Sequence, residues 1–114
     1  MSKELQWSGT IAVLDQATKD GKILHSHAHN TWIDLPITLW NHGKPAGVIK
    51  SITLMDTHIK AGGVASEGEL LGRLLTGKPV NVSPNIKFAA GRTIITGLTV
   101  VSAPVWAGVH IRMV

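Results

Sequence analysis

The sequence contains no cysteine, so disulfide staples and thiolate metal sites are both excluded. It has no tyrosine and one phenylalanine, which leaves Trp7, Trp32, Trp40 and Trp106 as most of its aromatic surface. These read most simply as core or rim packing groups. No apolar run approaches the roughly 20 residues that a membrane-spanning helix needs. The longest stretches, Ile94–Val101 and Ala103–Val109, are broken by Gly, Thr, Ser or Pro. The opening residues, Met1 to Trp7, are polar and lack the apolar stretch of a secretion signal. A soluble cytoplasmic protein without a membrane partner is expected. Acids are missing from the second half: after Glu69 the chain carries Arg73, Lys78, Lys87, Arg92 and Arg112 with no Asp or Glu, within a formal charge of +4. Such a half favours acidic partners. Its cations, however, are spaced singly and no aromatics interleave with them as a base-stacking platform requires. A solvated surface is therefore the expectation, and nucleic acid is not an expected partner.

What is present reads as one β-rich domain covering residues 1–114. A chain of 114 residues buries roughly 65% of its unfolded surface, enough for a core without staples. Turn signals recur at Asp20-Gly21, Asn41-His42-Gly43, Gly62-Gly63, Gly77-Lys78-Pro79, Ala90-Gly91 and Ala103-Pro104. Between them lie stretches rich in Val, Ile, Thr and Trp, which suit a pleated surface: Gln6–Leu14, Ile37–Trp40, Gly47–Met55, His58–Ala61, Val80–Ile86, Thr93–Val101 and Val109–Val114. One helix is signalled over Glu67–Thr76. Ser66 and Glu69 have capping-box spacing, Leu70, Leu71, Leu74 and Leu75 recur on one face, and Gly77 with Pro79 ends the run. A weaker helical turn is expected over Thr31–Leu35, capped by Asn30 and stopped by Pro36.

Several segments, taken in order, resemble the head maturation (prohead) proteases of tailed bacteriophages, in particular those of phages of actinobacteria. The stretch from Leu5 to Val13, Leu-Gln-Trp-Ser-Gly-Thr-Ile-Ala-Val, is similar to that family's opening strand, and Asp20-Gly21-Lys22 sits at its Gly-Asp-Gly turn. Thr31-Trp32-Ile33-Asp34-Leu35-Pro36 and Leu39-Trp40-Asn41-His42 match its Thr-Trp-Asp-Leu-Pro and Leu-Trp-(Asn/Gln)-His segments, and Gly47-Val48-Ile49 follows as in the family. Gly77-Lys78-Pro79-Val80-Asn81-Val82-Ser83 resembles its Gly-Val-Ser strand, and Leu98 to Pro104 its closing strand and Pro-Ala turn. The likeness covers nearly the whole chain. It implies a mainly β (α+β) fold, the small closed or partly closed β-barrel shared with herpesvirus assemblins. That agrees with the seven strands and one main amphipathic helix read from the residues.

The resemblance further implies a serine endopeptidase that cleaves scaffold and capsid segments inside the prohead, with Ser83 as nucleophile and His42 as general base. Major capsid and scaffold proteins are the implied partners, and self-association is among the expectations. The implied setting is the host cytoplasm during assembly, then the prohead or virion capsid. Two departures stand out. Many relatives carry an acid in the closing strand that orients the histidine, where this chain has Gly97-Leu98-Thr99; His58 or His110, with Asp56 behind them, are the candidates for a third member. Pro84 follows the serine and removes an N–H that could have faced an oxyanion. A contrasting expectation is a decoration or minor capsid protein that kept the fold without the chemistry. A third is a metal module on His25, His27 and His29, whose alternation would place three imidazoles on one strand face. Their polar surroundings favour a solvated loop, so no metal or cofactor is expected.

Overall fold

The computed structural model describes residues 4–18, 21, 23, 31–32, 36–89, 92–106 and 108–114, with backbone alone at 31, 32, 88, 89, 92 and 93. The histidines at 25, 27 and 29 and the turn at 90–91 lie outside the described residues. Eight strands and one helix follow in the order β1 (Leu5–Val13), β2 (Thr31–Trp32), β3 (Ile37–Asn41), β4 (Lys44–Leu54), β5 (His58–Ala65), α1 (Gly68–Leu75), β6 (Val80–Ala89), β7 (Arg92–Val100) and β8 (His110–Met113). The strands form one sheet in the order β2-β7-β3-β4-β5-β1-β8-β6, and β6 pairs back onto β7. That last pairing closes a barrel of seven strands, with the two-residue β2 lying beside β3 on the same edge of β7. The fold is thus mainly β with a single helix.

Alternation drives the closure. Trp7, Ile11, Leu39, Ile49, Ile59, Val82, Leu98 and Ile111 are buried and point inward, and the alternation along each strand breaks at the β1 bulge, where Ala12 is buried beside Ile11. Gly62-Gly63 is not the expected turn: it lies inside β5, which runs on to Ala65. A Cβ on Gly63 would sit 1.9 Å from Val48 O, so the glycine is there to let β4 approach, not to reverse the chain. Thr31–Trp32 is likewise not helical, because both residues pair in parallel with Thr93 and Ile94 of β7; positions 33–35 are outside the described residues.

The helix lies within the expected span, but its cap differs. The N-cap is Glu67, whose carboxylate accepts from the N–H groups of Glu69 (3.0 Å) and Leu70 (2.9 Å). Ser66 is still engaged by the strand, donating its N–H to Ala46 O (2.8 Å), so it cannot turn to cap and the capping box does not form. Leu70 and Leu74 are wholly buried in the core cluster, whereas Leu75 is 60% exposed. Gly77, at φ 76°, supplies the left-handed residue that ends the helix. Trp106 is 4% exposed and donates its indole N–H to Gln16 O (2.9 Å). It fastens the loop before β8 to the loop after β1, and is a core group, not a surface contact.

Candidate functional site

The turn between β3 and β4 is a two-residue hairpin, with Asn41 paired to Lys44 and His42-Gly43 at its tip. Both tip residues have positive φ, 52° and 75°, the signature of a type I′ turn. Glycine takes that conformation freely. His42 is one of the few side chain types tolerated there at some cost, and strain at an exposed histidine is a pointer to function.

The hairpin docks on the start of α1 through two side-chain bonds. Asn41, 2% exposed, donates from Nδ2 to Glu67 Oε2 (3.1 Å), and its own Oδ1 has no partner among the described residues. His42 donates from Nε2 to Glu69 Oε1 (3.2 Å), with both side chains well exposed. The acid that orients this histidine therefore comes from the helix. In the β7 stretch Gly97-Leu98-Thr99, where an acid was sought, a Cβ on Gly97 would lie 3.3 Å from Trp40 Nε1 and 2.9 Å from Asn85 Nδ2. Trp40 covers that position. With Nε2 donating, Nδ1 is the ring nitrogen left to accept a proton.

Glu67 holds the joint together. The two backbone N–H groups first, then the Asn41 amide and the Lys44 charge, keep its carboxyl below the ordinary 4.5. A lowered pKa in the folded state means stability that is full above the ordinary value and is lost as pH falls through the folded one. Glu67→Ala removes the cap and leaves the buried Asn41 amide without a side-chain partner, which should cost about 1–3 kcal/mol at neutral pH. Urea melts at pH 7 and near pH 3 would check this. The gap between wild type and variant should narrow in acid, and an equal gap at both pH values would remove the ionised carboxylate from the account.

Ser83 sits in β6, half-buried, directly opposite Thr99 of β7. Thr99 in turn pairs with Trp40 of β3, so Ser83, Thr99 and Trp40 stand at one level on the outer face of three neighbouring strands. Thr99 Oγ1 donates to Asn85 Oδ1 (3.0 Å), while Ser83 Oγ makes no side-chain hydrogen bond among the described residues. Val101 N–H donates to Asn81 O (2.9 Å), which turns the amides of Asn81 and Ser83 toward β7. The nitrogen of Pro84, lacking a hydrogen, faces away, so the β6–β7 ladder loses nothing.

The structure brings the expected pair to the same wall of the barrel but does not join them. Two strand spacings separate Ser83 from Trp40, and His42 lies two residues further, about 12 Å in all between α-carbons. No hydrogen bond links the two side chains. His110 is nearer: it pairs with Asn81 and is thus the diagonal neighbour of Ser83, roughly 7–8 Å away. His58 is removed from both. It begins β5 at the far end of β4 from the His42 turn, about 30 Å along the strand, and its Nδ1 lies 2.9 Å from Thr57 Oγ1. It cannot serve as the third member, since that role needs direct hydrogen-bond reach. Among the described residues no three His, Asp or Glu side chains converge on a metal position.

Sequence reasoning missed Glu69 as the partner of His42, having assigned it to the cap. The signal was an acid pair, Glu67-x-Glu69, following β5, the strand that pairs with β4 beyond the His42 hairpin. A scan of protein-family models finds no match for the chain, and neither the curated proteins nor the solved structures match it.

Proposed function

We propose that the chain is a serine endopeptidase of the phage head-maturation type, acting on scaffold and capsid segments, with Ser83 as nucleophile and His42 as base. The observation that supports this most is the strand order. β6 and β3 flank β7, so residues from distant parts of the sequence, Ser83 and the His42 turn, share one outer wall. The strained histidine and its carboxylate partner add the base and orienter that such chemistry uses. The Ser83 hydroxyl, unbonded among the described residues, is open to activation. In the resting protein the pair is apart. The His42–Glu69 contact is exposed, and such pairs are worth about 0–1 kcal/mol. An activity-based fluorophosphonate tests the reading without a known substrate. Ser83 of the wild type should be labelled, and Ser83→Ala should not. Equal labelling of both would remove this serine from the mechanism.

A second reading has its own observation: Ser83 and His42 are not in contact. This favours a decoration or minor capsid protein built on the same barrel. Intact chain in stoichiometric amounts on finished heads, with no labelling of Ser83, would select it.

A further inference from the structure

β4, β5, β1 and β8 lie side by side on the opposite flank from β3 and β7, and their register builds two rows on the outer face. One row runs Thr53, Lys60, Thr10, His110; the other runs Ser51, Gly62, Ser8, Arg112. Of the residues between the rows, Ala61 and Ile111 are buried and Gly9 is half-buried, while Ser8, Lys60 and Arg112 are exposed. A shallow depression of about 420 Å³ lies among Ser8, Thr10, Lys60, Gly108, His110 and Arg112. A second, of about 310 Å³, adjoins it and adds Lys50, Ser51 and Gln6. No acid lines either one. Among the described residues neither Lys60 nor Arg112 has an ion-pair partner.

In the sequence these cations stand alone, and Lys60 precedes the acid-free half altogether. Strand pairing gathers them. We propose that this face binds the phosphodiester backbone of duplex DNA without sequence preference. Cations interleaved with Ser and Thr hydroxyls are the donor set that contacts phosphates. Lys and Ser are depleted from protein–protein interface cores, which want aromatic, Met and Arg anchors; of these the exposed face offers Arg112, beside Met113. The face exposes no aromatic ring, so it offers nothing for unstacked single-stranded bases to lie on. Four strands side by side span about 14 Å between their outermost α-carbons. Duplex DNA carries a charge about every 1.7 Å of axis, so such a width meets more than one phosphate.

Fluorescence anisotropy with a random 20-base-pair duplex and the intact chain tests this. At about 50 mM salt, saturable binding is expected, and log K should fall against log salt with a slope of about −2 to −3, as for two or three phosphates. Lys60→Glu combined with Arg112→Glu should weaken binding at least tenfold while leaving the thermal melt in place. Should the double variant fail to fold, Lys60→Gln and Arg112→Gln singly should each weaken binding several-fold. Polyglutamate of matched charge and inorganic phosphate serve as the competing probes. Polyglutamate binding as tightly as the duplex would overturn the proposal in favour of an acidic protein. So would unaltered DNA binding by the folded charge variants, or no DNA binding at low salt. None of these outcomes depends on Ser83 chemistry.

Discussion

Ser83→Ala should abolish cleavage of a co-expressed head-assembly scaffold, a loss of at least about 1000-fold, with the fold unchanged. The Ser83 hydroxyl is the group that would form the acyl bond; Thr99 Oγ1, the other hydroxyl at this level, is held by Asn85 Oδ1, so alanine leaves no replacement nucleophile. The side chain is half-buried and makes no hydrogen bond among the described residues, so its removal orphans no partner among them. His42→Asn should lower cleavage comparably. Asparagine tolerates the positive φ of the hairpin tip, so the turn survives and only the base is lost. Nucleophile and base act as a unit, so the double variant should be no worse than the more damaged single one. Glu69→Gln should be milder, because it disturbs the orientation of the ring and not its presence. Gel analysis of the scaffold decides between outcomes. Cleavage surviving in Ser83→Ala ends the serine mechanism. An active His42→Asn beside an inactive His110→Asn would move the base to the histidine diagonal to Ser83.

Gly63→Ala should unfold the protein or drop its melting temperature by more than about 10 °C. The added methyl would fall 1.9 Å from Val48 O and 3.0 Å from Ile49 Cα, both backbone atoms of the paired strand. The clash has no flexible side chain to absorb it. Overpacking of this kind costs about 1–3 kcal/mol and more when backbone must shift, out of a total of about 5–15 kcal/mol. Gly47 is the counterpart on β4, where a Cβ would meet Val64 O at 2.2 Å. The two glycines sit on either side of the Val48–Val64 pair and let β4 and β5 bend sharply together. Circular dichroism melts of Gly63→Ala and Gly72→Ala give the comparison. Gly72 meets nothing within 4 Å, and helical alanine there should be neutral or stabilising. Similar melts for both variants would refute the close-approach account.

The barrel was legible because its strands obey local rules. β-Branched stretches between turn residues placed β1 and β3 to β8 within a few residues of their observed bounds. The errors share one cause, a residue with two uses that look alike in sequence. Gly62-Gly63 resembles a turn, and only the neighbouring strand reveals a need for bare backbone. Ser66 resembles a cap, and only its bond to Ala46 O shows that the ladder has claimed it. β2 was misread because Asn30 and Pro36 frame it as they would a helical turn. The candidate site divides the same way. His42 and Ser83 were found through a resemblance, while Glu69 and the proximity of His110 depend on which hairpin docks on the helix and where β8 inserts. Neither is written in local spacing.

That insertion sets the order in which the barrel can assemble. β8 lies between β1 and β6, so Trp7 to Thr10 must keep one edge vacant until His110 to Met113 arrive. The chain between them, from Ile11 to Val109, makes up most of the sequence. Closing a loop of that length is entropically slow, and proteins dominated by such distant pairings fold in milliseconds to seconds, not microseconds. During that interval the inner faces of β1 and β6, with Trp7, Val80 and Val82, stand open to other chains. Four residues thus govern how long a newly made chain stays adhesive.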